Sequence, residues 1–208
     1  MLLDKLREKC GVFGVFGHKD AATLTALGLH ALQHRGQEGA GIVSYDGKNF
    51  NTQLSLGLVS DHFTKTSVIN KLPGDSALGH VRYSTTGKTL LKNVQPLFAD
   101  LIGGGIALAH NGNLTNGIDL RNKLVKEGSI FQSTSDTETF LHLIALSKEK
   151  SILKKIIDAL YDIKGAYSFG LLTKKKLIAI RDPLGIRPLV LGSLGDAKII
   201  ASETCALD

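Results

Sequence analysis

The strongest constraint on the fold is the order in which strand-like and helix-like segments follow one another. Short apolar segments bounded by turn residues come first and last, and segments with helical periodicity dominate the middle. The expected strands are Gly11–Phe16, 40–45, 52–59, 76–85, 106–110, 166–173, 176–182, 189–193 and 198–202. The expected helices are 20–36 with Asp20 as N-cap, 117–127, one opening with the capping box Ser135 to Glu138, and one starting near Ser151.

The connections between the expected strands are mostly of hairpin length, which favours antiparallel pairing. Strands followed by helices and again by strands are typical of an α+β domain, in which helices cover antiparallel sheets. The 208 residues are 43% hydrophobic and 21% charged, which suffices for a sizeable core. The sequence shows no repeat, low-complexity segment or internal linker. We therefore expect one domain.

Composition argues against nucleic-acid and membrane partners. The net charge is +6, but the lysines are scattered, and the densest run, Lys174–Lys176, falls between two expected strands as a solvated turn would. Tryptophan is absent and aromatic residues are 6%, which leaves little for base stacking. Charged residues interrupt the N-terminal lead, so it is no signal peptide, and no apolar run has membrane-spanning length. We expect a cytoplasmic protein.

The sequence carries no recognised metal signature. Two cysteines, Cys10 and Cys205, cannot form a disulfide framework or by themselves hold a zinc ion or an iron–sulfur cluster. His30 and His34 are four residues apart, which is ligand-like spacing, but no third ligand is evident near them. We therefore expect no metal, and we expect Cys205 to serve in core packing.

Polar residues gather at the ends of three apolar segments, where binding sites are common. Arg82 ends one strand and suits either a ligand carboxylate or a structural ion pair. Asn111–Gly112 follows another strand and suits either a hairpin turn or an oxyanion hole. Asp136 falls in the first turn of a helix, where it suits either the helix dipole or a ligand ammonium.

Taken in order, these segments resemble one known family. The matching motifs are CGVFG, HRGQEGAG, GHVRYST, AHNGNL, SDTE, KGAYSF and RDPLGIRPL. They are similar to the class II glutamine amidotransferase domain of the amidophosphoribosyltransferase family, which acts in purine biosynthesis, and the resemblance runs from Cys10 to Asp208. The sister family of glucosamine-6-phosphate synthases usually has Trp after the matching Arg, where this chain has Tyr83.

The resemblance implies the N-terminal nucleophile hydrolase fold, a four-layer αββα sandwich of two antiparallel sheets flanked by helices. It implies that Cys10 is the nucleophile and that Asn111 and the Gly112 N–H form the oxyanion hole. For the substrate glutamine, it implies that Arg82 binds the carboxylate and Asp136 the ammonium. It further implies that Arg35 helps to orient a new N-terminus at Cys10.

The resemblance also implies processing and partners. Residues 1–9 are expected to be a propeptide whose removal exposes Cys10, and residues 10–208 to form the glutaminase domain. The diphosphate-binding loop of a phosphoribosyltransferase domain is not found in these residues. The Mg²⁺ and the iron–sulfur cluster of the full-length family enzyme are expected to bind outside this chain, which needs no cofactor. A full-length enzyme is expected to be a homo-oligomer.

Two alternatives from other classes remain at this point. A non-catalytic glutamine-binding module would use Arg82 and Asp136 but would not need a cysteine at a cleavage junction. A basic nucleic-acid-binding protein would depend on the net charge alone. The glutaminase domain of another class II amidotransferase is the remaining alternative within the same chemistry.

Overall fold

The computed structural model describes residues 9–83 and 90–208, and the structural statements below refer to these residues. They form ten strands. These are β1 (Gly11–Phe16), β2 (Gly39–Tyr45), β3 (Phe50–Leu56), β4 (Ser76–Arg82), β5 (Leu97–Leu101), β6 (Gly104–Leu114), β7 (Gly165–Thr173), β8 (Leu177–Arg181), β9 (Val190–Leu194) and β10 (Ala197–Ala201). Residues 1–8 of the expected propeptide and residues 84–85 of an expected strand lie outside the described part.

The strands form two antiparallel sheets. The larger has the order β3-β2-β4-β1-β10-β9 and the smaller the order β5-β6-β7-β8. The helices are α1 (Ala21–Ala31), α2 (Val59–Phe63), α3 (Thr66–Ile69), α4 (Gly117–Lys126), α5 (Asp136–Leu146) and α6 (Ile152–Asp162). The larger sheet pairs strands that are far apart in sequence, since β1 pairs with β10.

Three apolar clusters hold the layers together. One joins α1–α3 to the larger sheet, a second joins the smaller sheet to α5 and α6, and a third lies between the two sheets. The two-residue period of β1 explains the arrangement, because Val12 faces the other sheet while Phe13 and Val15 face the helices. The four-layer αββα sandwich is therefore confirmed.

Most of the expected elements are confirmed, with small shifts at their ends. The run Lys174–Lys176 does form the turn between β7 and β8, where Thr173 N donates to Lys176 O. Among the strands and α-helices of the described residues, three were not predicted: the edge strand β5 and the short helices α2 and α3. Helices of four or five residues are too short to show a 3.6-residue period.

Three local expectations need correction. Asn111–Gly112 is no hairpin turn, because β6 continues through it and pairs Asn111 with Ser168 of β7. Asp20 precedes α1, but its side chain makes no capping hydrogen bond. Ser135 does cap α5, because its hydroxyl accepts a hydrogen bond from Thr137 N at 3.3 Å. The Glu138 carboxylate instead accepts from the backbone N–H groups of residues 132 and 133, so the reciprocal half of the capping box is not formed.

Within residues 9–83 and 90–208, no helix combines the length and apolar character that a membrane crossing needs.

Candidate active site

A cavity of about 650 Å³ opens where β1 begins, β4 ends and the second half of β6 runs beside the start of α5. Four of the six predicted site residues line it: Cys10, Arg82, Gly112 and Asp136. These four come from four separate elements or their ends, so the fold alone brings them to one place. The other two, Asn111 and Arg35, lie next to the cavity wall rather than on it.

Cys10 sits just before β1 in an unusual backbone conformation. Its φ is +64°, and it is the one residue other than glycine with positive φ in the described part of the chain. A side chain in this left-handed region costs on the order of 1–3 kcal/mol. Two hydrogen bonds hold the residue there, from Cys10 N to Arg35 O at 2.8 Å and from Arg35 Nε to Cys10 O at 2.6 Å.

The Cys10 thiol is held by the backbone of Tyr83. The thiol donates to Tyr83 O at 3.6 Å, and Tyr83 N donates to the sulfur at 3.5 Å. Burial raises the pKa of the Cys10 thiol, and the Tyr83 N–H and the nearby Arg82 and Arg35 charges offset this only in part. At neutral pH the thiol therefore needs a base before it can act as a nucleophile. No side-chain base is hydrogen-bonded to it among the described residues.

Arg82 ends β4 with part of its guanidinium available. Its Nη1 donates to Asn93 O at 3.2 Å, while its buried Nε has no hydrogen-bond partner among residues 9–83 and 90–208. Over the same residues it makes no ion pair, so the structural ion pair considered above is not formed there. The loop that contains Gly36 packs directly against the backbone of Arg82. This contact requires glycine, because a Cβ on Gly36 would lie 2.6 Å from the Arg82 carbonyl carbon.

Asp136 supplies the opposite charge at the first turn of α5. Its Oδ2 accepts from Leu114 N at 2.9 Å, and its Oδ1 lies 3.5 Å from His110 Nδ1. Burial opposes ionisation, but the hydrogen bonds from His110, Leu114 N and Thr137 N outweigh it and lower the pKa of the carboxyl. The cavity therefore presents a cation, an anion and a thiol together.

Asn111 and Gly112 lie in the second half of β6, and Gly112 lines the cavity together with Cys10. Asn111 is fully buried and lies on the same face of β6 as Ala107 and Ala109, which face the other sheet. Its Nδ2 and Oδ1 both lack a hydrogen-bond partner in the described part of the chain. Gly112 has a φ of +147°, and a Cβ there would overlap the Ala166 carbonyl oxygen, so this position requires glycine.

Arg35 lies behind Cys10 and does not line the cavity. Its side chain is fully buried, and beyond the Cys10 carbonyl it bonds through Nη1 to the Glu203 carboxylate. This places Arg35 against the backbone of Cys10 rather than in a position to touch a ligand in the cavity. It is suited to orienting Cys10.

Comparisons with known proteins show the family to which this chain belongs. The family model for the glutamine amidotransferase domain matches residues 80–208. An amidophosphoribosyltransferase of Rhizobium etli is 60% identical over 99% of this chain and 41% of its own length. One of Lacticaseibacillus casei is 52% identical over 90% of this chain and 96% of its own length.

The chain belongs to the glutamine amidotransferase domains of the amidophosphoribosyltransferase family. A solved structure of the Bacillus subtilis glutamine phosphoribosylpyrophosphate amidotransferase, complexed with ADP and GMP, superposes with a TM-score of 0.90 at 47% identity, covering 96% of this chain and 43% of that one. The chain thus spans about two fifths of the length of the Rhizobium and Bacillus proteins.

The structure of this amidotransferase domain adds residues that sequence reasoning missed. His110, Gln95 and Thr137 form a buried polar network beside Asp136, in which Gln95 accepts from His110 N at 2.7 Å and donates to Thr137 Oγ1 at 3.0 Å. His110 Nδ1 lies 3.2 Å from Thr137 Oγ1. The position of His110 directly before Asn111 was a sequence signal that it belongs to the site. Gln95 and Thr137 carry no such signal, since no local motif distinguishes them from other polar residues.

Proposed function

We propose that this domain hydrolyses glutamine to glutamate and ammonia through a thioester on Cys10. The observation that carries the proposal is the cavity in which the thiol lies with the Arg82 guanidinium and the Asp136 carboxylate. Glutamine carries an α-carboxylate and an α-ammonium, so a site for it needs one fixed cation and one fixed anion. Arg82 binds the carboxylate and Asp136 the ammonium, which directs the side-chain amide toward Cys10.

The base is the α-amine of Cys10 itself, after cleavage of the Lys9–Cys10 bond. An α-amine has a pKa of roughly 7.7–8.0, close to working pH, which suits general acid–base catalysis. Two observations support this assignment. The sulfur is hydrogen-bonded to backbone groups of Tyr83 rather than to a side-chain base. The left-handed φ at Cys10 is a torsion about its own N–Cα bond that is defined by the carbonyl carbon of Lys9, so its strain ends when the Lys9–Cys10 peptide is cut.

The reaction then proceeds in two halves. The amine accepts the thiol proton, and the thiolate attacks the amide carbon while Asn111 Nδ2 and the Gly112 N–H stabilise the oxyanion. Ammonia leaves with the proton that the amine returns, and a Cys10 thioester remains. Water, deprotonated by the same amine, attacks the thioester and releases glutamate. The amide of buried Asn111 has no hydrogen-bond partner within the described residues, so it can bind an oxyanion without breaking a bond there, which supports its role.

In a full-length enzyme of this family, we propose that the ammonia reacts with phosphoribosyl pyrophosphate in a phosphoribosyltransferase domain and forms 5-phosphoribosylamine, within a homo-oligomer that uses Mg²⁺. The two cysteines of this chain do not provide the four thiolates that an iron–sulfur cluster takes. The proposed setting is the cytoplasm, where thiols stay reduced.

The experiment measures processing and ammonia release on the same sample. Intact-mass analysis is expected to show a chain beginning at Cys10, and that chain is expected to release ammonia and glutamate from glutamine in equal amounts. Cys10→Ala should lose activity by at least ~10³-fold while still binding glutamine. Full activity in a chain that retains residues 1–9 would refute the α-amine base, and activity in Cys10→Ala would refute the thioester. Tight binding without hydrolysis in the processed chain would instead indicate the glutamine-binding module.

A further inference from the structure

A second group of reactive side chains lies outside the cavity, and the proposed reaction does not use it. It consists of His34, Glu203 and Cys205, whose nitrogen, oxygen and sulfur donors all lie within 4.8 Å of one another. Cys205 is exposed, so the expectation that it serves in core packing is wrong. Glu203 connects this group to Arg35, whose Nε donates to the Cys10 carbonyl. His34 and Glu203 are 169 residues apart in the chain, which is why the sequence shows no metal-ligand spacing here.

Two of the three donor separations are close to those of a tetrahedral metal site, and the third, between His34 Nε2 and Cys205 Sγ, lies within 4.8 Å. His34 Nε2 lies 3.0 Å and Cys205 Sγ 3.6 Å from the same oxygen, Glu203 Oε2. Zinc bonds of about 2.0–2.3 Å at tetrahedral angles place neighbouring donors about 3.3–3.6 Å apart. The sulfur–oxygen separation already fits, and the nitrogen–oxygen separation needs to open by a few tenths of an ångström.

The orientation of His34 is set by its other ring nitrogen. His34 Nδ1 lies 3.1 Å from Ala31 O, and a carbonyl can only accept, so Nδ1 carries a proton. Nε2 then faces Glu203 Oε2, another atom with lone pairs, and the contact is favourable only when a cation lies between them. That cation is either a second proton on the ring or a metal ion. A backbone carbonyl on the far nitrogen is the usual second partner of a metal-binding histidine.

Glu203 can serve the buried arginine and a metal ion at the same time. Its Oε1 bonds to Arg35, which leaves Oε2 for the ion. The His34 side chain is 55% exposed and that of Glu203 32%, so an ion and a water molecule in the fourth position can reach the donors from solvent.

We propose that His34, Glu203 and Cys205 form a surface site for a divalent cation of the zinc class. Nitrogen, carboxylate oxygen and thiolate sulfur are the three donor types that zinc takes in proteins. When the ion binds, the Cys205 S–H bond breaks, a sulfur–metal bond forms and the proton goes to solvent. A second proton on His34 Nε2, where present, leaves in the same way.

The test uses the full 208-residue chain without a polyhistidine tag and with Cys10→Ala, which removes the other thiol. Titration calorimetry with Zn²⁺ is expected to show one saturable site per chain. Co²⁺ is expected to give the absorption of a tetrahedral ion together with a thiolate-to-cobalt charge-transfer band. Cys205→Ser should abolish that band, and both Cys205→Ser and His34→Ala should weaken Zn²⁺ binding by at least ~10-fold.

His30→Ala is the matched control, since His30 is an exposed histidine one helical turn before His34. It should leave Zn²⁺ affinity unchanged. Absence of a saturable site would overturn the proposal. So would equal affinity in the parent, Cys205→Ser and His34→Ala chains, or a loss that follows His30 instead of His34. Thermal melting of each variant distinguishes a lost ligand from a lost fold, and the metal readout does not depend on glutamine hydrolysis.

Discussion

The two halves of β6 pair with the same neighbour, β7, yet they differ in whether their side chains are packed with partners. The first half, from Ile106 to Ala109, places apolar side chains in the two clusters on either side of the sheet. The second half carries Asn111, whose amide has no partner among residues 9–83 and 90–208, and Gly112, which has a positive φ. Leaving a buried polar group without a partner costs about 1–3 kcal/mol. The first half therefore stabilises the fold, and the second half gives up stability for a site.

Replacing Asn111 by Ala tests this contrast most directly. We expect kcat for glutamine hydrolysis to fall by about 10²–10³-fold, since one oxyanion donor is lost. The free energy of unfolding should stay within about 1 kcal/mol of the parent value, because the gain from removing an amide that has no partner in the described part of the chain is offset by the loss of side-chain packing. Steady-state kinetics and denaturant titration measure both. A large loss of stability with unchanged kcat would reverse the roles of the two halves.

Leu108→Ala makes the corresponding change in the apolar half. Leu108 is fully buried in the cluster between the smaller sheet and its helices, so truncation should destabilise the protein by about 2–5 kcal/mol. The turnover number per folded molecule should be close to that of the parent, since the side chain does not line the cavity. Urea titration together with active-site titration separates the two effects. A stability equal to the parent would contradict the packing assigned here.

Arg82→Lys probes the cavity with a smaller change. A lysine keeps the charge but cannot form the two parallel hydrogen bonds of a guanidinium with a carboxylate. We expect KM for glutamine to rise about tenfold with a smaller change in kcat, corresponding to the loss of about 1.4 kcal/mol of binding. An unchanged glutamine affinity would remove Arg82 from the binding site.

The pH dependence of stability gives the smallest effect. Because the pKa of Asp136 is lower in the folded protein, its contribution is present above the unfolded pKa of about 3.9 and is lost as pH falls through the folded value. Asp136→Asn should therefore flatten the fall in the free energy of unfolding below about pH 4. Denaturant titrations across this range check it. Identical profiles for both proteins would show that Asp136 is not selectively stabilised as an anion.

Local sequence pattern was sufficient to predict elements whose residues show a clear apolar period or a capping residue. The strands around Gly11–Phe16 and the helix capped by Ser135 followed from apolar period and a capping residue. The edge strand β5 was missed because its alternation, from Leu97 to Leu101, is short and includes Asp100. Asn111–Gly112 was ambiguous, since the same two residues suit a turn, and only pairing with β7 decides that β6 continues.

The sequence by itself determined which chemistries this protein can perform. The thiol, the cation, the anion and the amide were visible as residue types at strand and helix ends, and the order of their motifs resembled one family. Only the tertiary structure decided which of them meet. Cys10, Arg82 and Asp136 share a cavity because the fold brings together segments that are 54 to 126 residues apart. His34 and Cys205 meet for the same reason, since pairing of β1 with β10 returns the end of the described chain to its beginning.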